Sequence, residues 1–395
     1  MQKVSNKVLW VIIGVLSFLF LGESVFFRHQ IKETVKYYYN RTDTFIKDTM
    51  DINDFLNCDV NPKTIVVFEP NPYHLECMPG FVKYYTDLGY NVDILMRSGC
   101  EESMERFEPK DKIRIFKFRE LKNVEFYADK IFNKCQKYDY SMIHTADPHK
   151  KDMIFKLKYP ENPNSIFVLH NFKSLEVLGL EEFRQKNQLF GLADYGTLNY
   201  VNPNYFGNVA EHKKNEQTTF YITSSPKRDY TPLISAARKL DAQGANFKIN
   251  VTGHTDTFCK EMIPEDLRKY FEFYGKVPYQ KMYSIIEQSD FIIINLDPDL
   301  EEDNYFRTER ATGSAQLGYG FHKPIIIQSE FADTYKLTDN DTAIVYNGRD
   351  MLSAMAKAIN MSSDKYDTMT ESMKSLCKKI YDISLENVKK ALKIK

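Results

Sequence analysis

The chain has 395 residues, 43% hydrophobic and 27% charged, the proportions of a globular protein with two domains or one domain plus appendages. A formal net charge of −1 argues against a nucleic-acid partner, since it offers no cationic excess. The six cysteines (Cys58, Cys77, Cys100, Cys135, Cys259, Cys377) are scattered, with no CxxC pair and no zinc spacing, which favours reduced thiols over a disulfide framework or a metal site.

The first element is apolar. Residues 8–27, VLWVIIGVLSFLFLGESVFF, form a twenty-residue run, long enough as a helix to cross roughly 30 Å of hydrocarbon. No small-x-small cleavage site follows it, so residues 1–27 read as a retained single-pass membrane anchor rather than a signal peptide. Lys3 and Lys7 precede the run while Arg28, Lys32 and Lys36 follow it, so charge leaves the orientation open. Residues 28–62 read as a polar, aromatic-rich stem without a clear strand.

From Lys63 the texture changes to alternating strands and helices. TIVVFEP (64–70) is a β-branched run, PGFVKYYTDLGY (79–90) has helical spacing, and NVDILM (91–96) is the next strand. KIRIFKF (112–118), YSMIHTA (140–146) and SIFVLHN (165–171) continue the series. A polar joint near 205–217 separates a second alternation. It comprises strands at 218–225, 247–253, 271–275, 291–296, 323–329 and 341–347, with helices at 231–244 and 279–290. The prediction is an α/β chain: two Rossmann-like doubly wound domains, 63–210 and 215–365, facing a cleft. A helical segment, 366–395, packs back across the joint.

In such an architecture ligands bind beyond the C-terminal strand ends. Thr312, Gly313 and Ser314 open a short helix there, where unpaired backbone amides and a small residue suit a phosphate. Arg307 and Arg310 stand just before it. Lys227 and Arg228 lie in the loop after the second domain's first strand, and both pairs offer charge-assisted hydrogen bonds.

The order of these pieces is informative. It runs from Lys227-Arg228 to Phe273-Tyr274-Gly275-Lys276-Val277, then to Ser289-Asp290-Phe291, Gly313 and finally His322-Lys323-Pro324-Ile325-Ile326. Over about 120 residues it resembles the nucleotide-sugar domain of GT-B glycosyltransferases, especially the large retaining group of polysaccharide and glycolipid transferases. The resemblance implies a sugar transfer from a nucleotide-diphosphate donor to a saccharide or lipid-linked acceptor. Lys227, Arg228 and the backbone at Thr312–Ser314 would hold the diphosphate. The loop Gly275–Val277 would lie against the nucleobase. The resemblance implies no metal or other cofactor, because cations and a helix N-terminus stabilise the leaving group; the nucleotide sugar is a co-substrate.

One departure concerns the family's paired glutamates. Glu301 and Glu309 have the spacing, but counting back from Pro324 places Leu317 where the second should fall. Glu309 is retained as a candidate for sugar contact. In the first domain, His74 and Glu76 follow the first strand, and His144 and His170 end two later ones. His170, His74 and Glu76 are the acceptor-side or sugar-positioning candidates. Asp297-Pro298-Asp299 superficially matches a metal-binding D-x-D, yet a whole α/β run precedes it, and a solvated loop is the preferred reading. A sugar-nucleotide epimerase of the same fold and a non-catalytic partner in a membrane complex are the rival functions.

Overall fold

The computed structural model describes residues 40–253 and 260–394, with Glu33 and Lys36. The apolar run 8–27 lies outside the described residues. Among the described residues no helix is long and apolar enough to cross a membrane.

Seven strands form the first sheet: β1 (Thr64–Glu69), β2 (Asn91–Arg97), β3 (Ile113–Phe118), β4 (Tyr140–Ile143), β5 (Ser165–Leu169), β6 (Leu189–Gly191) and β7 (Asn199–Tyr200). Their order is β3-β2-β1-β4-β5-β6-β7, and every pairing is parallel. A parallel sheet must be covered on both faces, and alternate residues of β1 do this. Ile65 and Val67 pack under helix α2 (Met78–Asp87), while Val66 and Phe68 meet helix α1, residues 40–57. The stretch read as a stem therefore contains a packed element. Ile52 and Phe55 of α1 are fully buried. Its buried Asp48 accepts backbone hydrogen bonds from Arg119 at 2.7 Å and Glu120 at 3.0 Å. Strands β6 and β7, three and two residues long, were not expected; segments so short carry no period.

The second sheet contains β8 (Thr218–Ser224), β9 (Phe247–Gly253), β10 (Phe271–Gly275), β11 (Phe291–Ile294), β12 (Ile325–Gln328) and β13 (Ala343–Tyr346), in the order β10-β9-β8-β11-β12-β13 and again all parallel. Helix α3 (Thr231–Ala242) covers one face through Leu233, Ala236, Ala237 and Leu240. Helices α4 (Tyr279–Glu287), α5 (Glu301–Thr308) and α6 (Gly313–Gly320) lie further along the chain.

The last helix, α7 (Ser363–Ala391), serves both domains. Tyr366 and Met369 lie in the second domain's core, whereas Val388 and Ala391 lie in the first. Midway, Ser384 Oγ accepts from the Asn202 amide at 3.0 Å. Each sheet reverses its strand order beside its first strand, at β1/β4 and at β8/β11. Those switch points place the site.

Candidate active site

The C-terminal ends of the two sheets face one another across a cleft of about 890 Å³, within the size range of small-molecule sites. The first domain lines it with His74, Glu76, Cys77, Thr145, His170, Asn171 and Ser174. The second contributes Thr223, Ser224, Arg228, Lys276, Val277, Arg310, Thr312, Gly313, Ser314 and Gln316. Backbone and side chains tie the walls together. Asn171 and Arg310 form an antiparallel bridge, and the Phe172 amide donates to the Glu309 carbonyl at 2.8 Å. Tyr279 of α4 donates to Glu76 Oε2 at 3.3 Å, and the Cys77 thiol donates to Gln316 Oε1 at 3.3 Å.

The second-domain wall turns backbone amides and cations towards the cleft. Thr312 is extended and its side chain makes no capping bond to α6, so the first-turn amides keep the polarity of an open helix N-terminus. The Thr312 amide itself is taken by the Tyr335 hydroxyl at 3.2 Å, which leaves the task to the residues after it. Gly313 permits close approach: a Cβ there would stand 3.7 Å from Glu76 Oε1. Arg228 is held by the buried carboxylate of Asp303 and lies 4.6 Å over the Phe306 ring. Arg310 lies 5.4 Å over the Tyr305 ring. Helix α5 thus supplies an aromatic shelf that positions two guanidinium groups.

The other two predicted cations point elsewhere. Lys227 is exposed and pairs with Glu302 at 3.0 Å. Arg307 pairs with Glu330 at 2.7 Å on the surface. Neither lines the cleft. Gly275 closes β10 at φ 69°, a left-handed turn that suits glycine, and delivers Lys276 and Val277 to the wall.

The first-domain wall carries a histidine cluster anchored on a buried acid. Glu69, at the end of β1, is fully buried. It accepts from the Asn71 amide at 2.6 Å, from Thr145 Oγ1 at 2.7 Å and from His144 Nδ1. His144 is itself fully buried and does not line the cleft. It orients the next ring: His170 Nε2 donates to the His144 carbonyl at 3.2 Å, leaving Nδ1 as the acceptor-capable nitrogen. Burial, reinforced by the neighbouring His74 and His144, holds the His170 pKa well below its usual value, so the ring is neutral.

His74 stands 4.3 Å from His170, centroid to centroid. Burial opposes its protonation, but the Glu76 carboxylate at 3.7 Å outweighs this, and the pKa of His74 is raised. Glu76 shifts the opposite way: burial pushes its pKa up, and His74 and the Tyr279 hydroxyl bring it below the ordinary value.

Glu309 faces the joint rather than the cleft, with Lys173 at 3.4 Å. The Asp297 carboxylate accepts from the Asp299 amide at 3.0 Å and meets Arg349 at 3.3 Å, and neither aspartate lines the cleft. Among the described residues no group of three or more potential metal ligands gathers.

Sequence reasoning missed three further cleft residues. The Oγ atoms of Ser174 and Ser224 and the Nε2 of Gln316 are buried without a hydrogen-bond partner, and all three residues line the cleft. Buried polar groups are nearly always paired, so these three offer hydrogen-bonding capacity to a polar ligand in the cleft.

No protein-family model matches the chain, and no curated protein matches it. Solved structures do. A glycosyltransferase from Rickettsia africae ESF-5 is 12% identical with a TM-score of 0.55, covering 85% of this chain and 98% of its own. Anabaena Alr3699/HepE, solved in complex with UDP and glucose, is 11% identical with a TM-score of 0.52, covering 83% and 98%. AviGT4, a glycosyltransferase involved in avilamycin A biosynthesis, is 12% identical with a TM-score of 0.50, covering 84% and 98%. The chain therefore has the GT-B fold of these enzymes.

Proposed function

We propose that the protein is a glycosyltransferase that moves a sugar from a nucleotide-diphosphate donor to a saccharide or glycolipid acceptor, without a metal ion. The observation that carries this reading is the second-domain wall: an uncapped helix N-terminus with Gly313, flanked by Arg228 and Arg310. As the glycosidic bond breaks, negative charge grows on the departing diphosphate. Fixed amides and guanidinium groups in a partly dry cleft stabilise that charge with little reorganisation. The complex of the structurally similar Anabaena protein with UDP and glucose supports uridine nucleotides as the first donors to try.

On the facing wall, His170 presents a neutral ring whose Nδ1 accepts a proton or a hydroxyl hydrogen bond. His74 and Glu76 form the adjoining charged pair and border the place where donor sugar and acceptor meet. The apolar run at 8–27 supports an acceptor met at a membrane surface.

A thermal-shift panel of UDP, GDP, ADP and CDP and their sugars, with and without EDTA, tests the reading. A ligand at a hundred times its Kd stabilises by about 2.7 kcal/mol. One nucleotide should raise the melting temperature, undiminished by EDTA. No response to any nucleotide at millimolar concentration contradicts the proposal.

A further inference from the structure

We propose that Gln316 is a donor-recognition residue: its Nε2 donates to an oxygen of the bound nucleotide sugar, and the Cys77 thiol of the facing domain holds the amide in the orientation this requires. The inference rests on the glycosyltransferase reading and adds two residues to it. Gln316 is 2% exposed and lines the cleft, yet its Nε2 has no hydrogen-bond partner. It sits three residues after Gly313 on α6, hence on the same helix face. The open N–H2 group and the first-turn amides therefore address one ligand, and both offer donors only. The complementary chemistry is an acceptor oxygen, on the diphosphate or on the sugar beside it.

The orientation of the amide follows from Cys77. Its thiol contacts Gln316 Oε1 at 3.3 Å across the joint. Burial, and then the charges of Glu76 and Glu69, keep that thiol protonated, so it is a donor. A donor selects the carbonyl end of the carboxamide and turns Nε2 away, towards the cleft. The reverse orientation asks the sulfur, a weak acceptor, to take an N–H and leaves the S–H without an acceptor. Cys77 does not touch the ligand in this account; it is a positioning residue. It directly follows Glu76, so one short turn of the first domain sets both the Gln316 amide and the carboxylate beside Gly313.

The test uses the protein with UDP and UDP-glucose as probes (the GDP, ADP and CDP pairs in turn if uridine nucleotides fail), read by calorimetric titration and by steady-state kinetics. If the wild type binds none of them, the glycosyltransferase reading falls, and this inference with it. If it binds, Gln316→Met, which keeps the volume and deletes both polar atoms, should weaken affinity about tenfold. Weakening of the sugar nucleotide alone places the accepting oxygen on the sugar; weakening of both probes places it on the diphosphate. Cys77→Ser should match the wild type, and Cys77→Ala should raise KM for the donor several-fold with little change in kcat. Should Gln316→Met fail to fold, the contrast between the two Cys77 variants decides. Gln316→Met binding like the wild type, or Cys77→Ala indistinguishable from Cys77→Ser, overturns the proposal.

Discussion

Helix α6 contains three glycines, and the space around each one predicts a different outcome for the same substitution. At Gly313 an added Cβ meets only Glu76 Oε1, at 3.7 Å, an ordinary van der Waals contact. Gly313→Ala should leave unfolding unchanged, or improve it slightly through helix propensity. The new methyl nevertheless stands where the proposed phosphate would approach the first-turn amides. Misfit of one methyl in a packed contact costs about 1–3 kcal/mol, which is about 5- to 150-fold in nucleotide Kd.

The other two glycines oppose structure instead. At Gly318 the Cβ would lie 2.7 Å from Ile325 Cγ1 of the buried strand β12. At Gly320 it would lie 2.5 Å from the Asn204 carbonyl oxygen, a backbone atom that cannot swing aside. Each should lower stability by about 1–3 kcal/mol or more, or about 2–4 °C in Tm per kcal/mol for domains of this size. Thermal melts give stability, and titration calorimetry with the stabilising nucleotide gives affinity. The expected pattern is affinity lost without stability at Gly313, and stability lost at Gly318 and Gly320. If Gly313→Ala binds nucleotide as tightly as the wild type, the helix N-terminus is not the phosphate site and the reasoning fails.

Three other perturbations follow from the same geometry. Arg228→Ala strands the buried Asp303 carboxylate. It should cost about 3–5 kcal/mol in urea unfolding, along with nucleotide binding, and unaltered stability would mean that the pair is dispensable. Because Glu76 raises the pKa of His74, the pair's contribution is complete below the ordinary histidine range and fades as pH rises through the elevated folded value. Glu76→Gln should remove that decline from urea midpoints measured between pH 5.5 and 9; an unchanged profile argues against the pairing. Lys323 is buried, and desolvation lowers its pKa to about 7. Between there and the ordinary lysine value the unfolded chain binds the extra proton, so this group makes stability rise with pH over that window. Lys323→Met should flatten that rise, and a slope identical to the wild type refutes the assignment.

Most of the sheet was legible because buried parallel strands are continuous β-branched runs. Ile325–Gln328 and Phe291–Ile294 stand out as such, and both are buried throughout. The short strands Leu189–Gly191 and Asn199–Tyr200 were not legible, since pairing with a preformed neighbour defines them. Helix α1 was hidden for a related reason. Its apolar contacts, Ile52 and Phe55, are sparse within a polar stretch, and only the underside of the sheet makes them core.

At the site, glycine and loop chemistry located Gly313, Arg228 and Arg310 in sequence. Which of two neighbouring cations turns inward was not decided there. Phe306 and Asp303 make that choice for Arg228, and Lys227 is left to Glu302 at the surface. Gln316 lay in plain view in AQLGYGF, but only its pairing with a thiol from the other domain exposes its open amide.

The central claim, that the cleft binds a nucleoside diphosphate through amides and guanidinium groups, is most directly tested by a crystal structure with UDP or whichever diphosphate stabilises the protein. The account predicts phosphate oxygens within about 3 Å of the Gly313 or Ser314 amide and of the Arg228 guanidinium. A diphosphate bridged by a divalent ion to Asp297 and Asp299, or one bound outside the cleft, contradicts it.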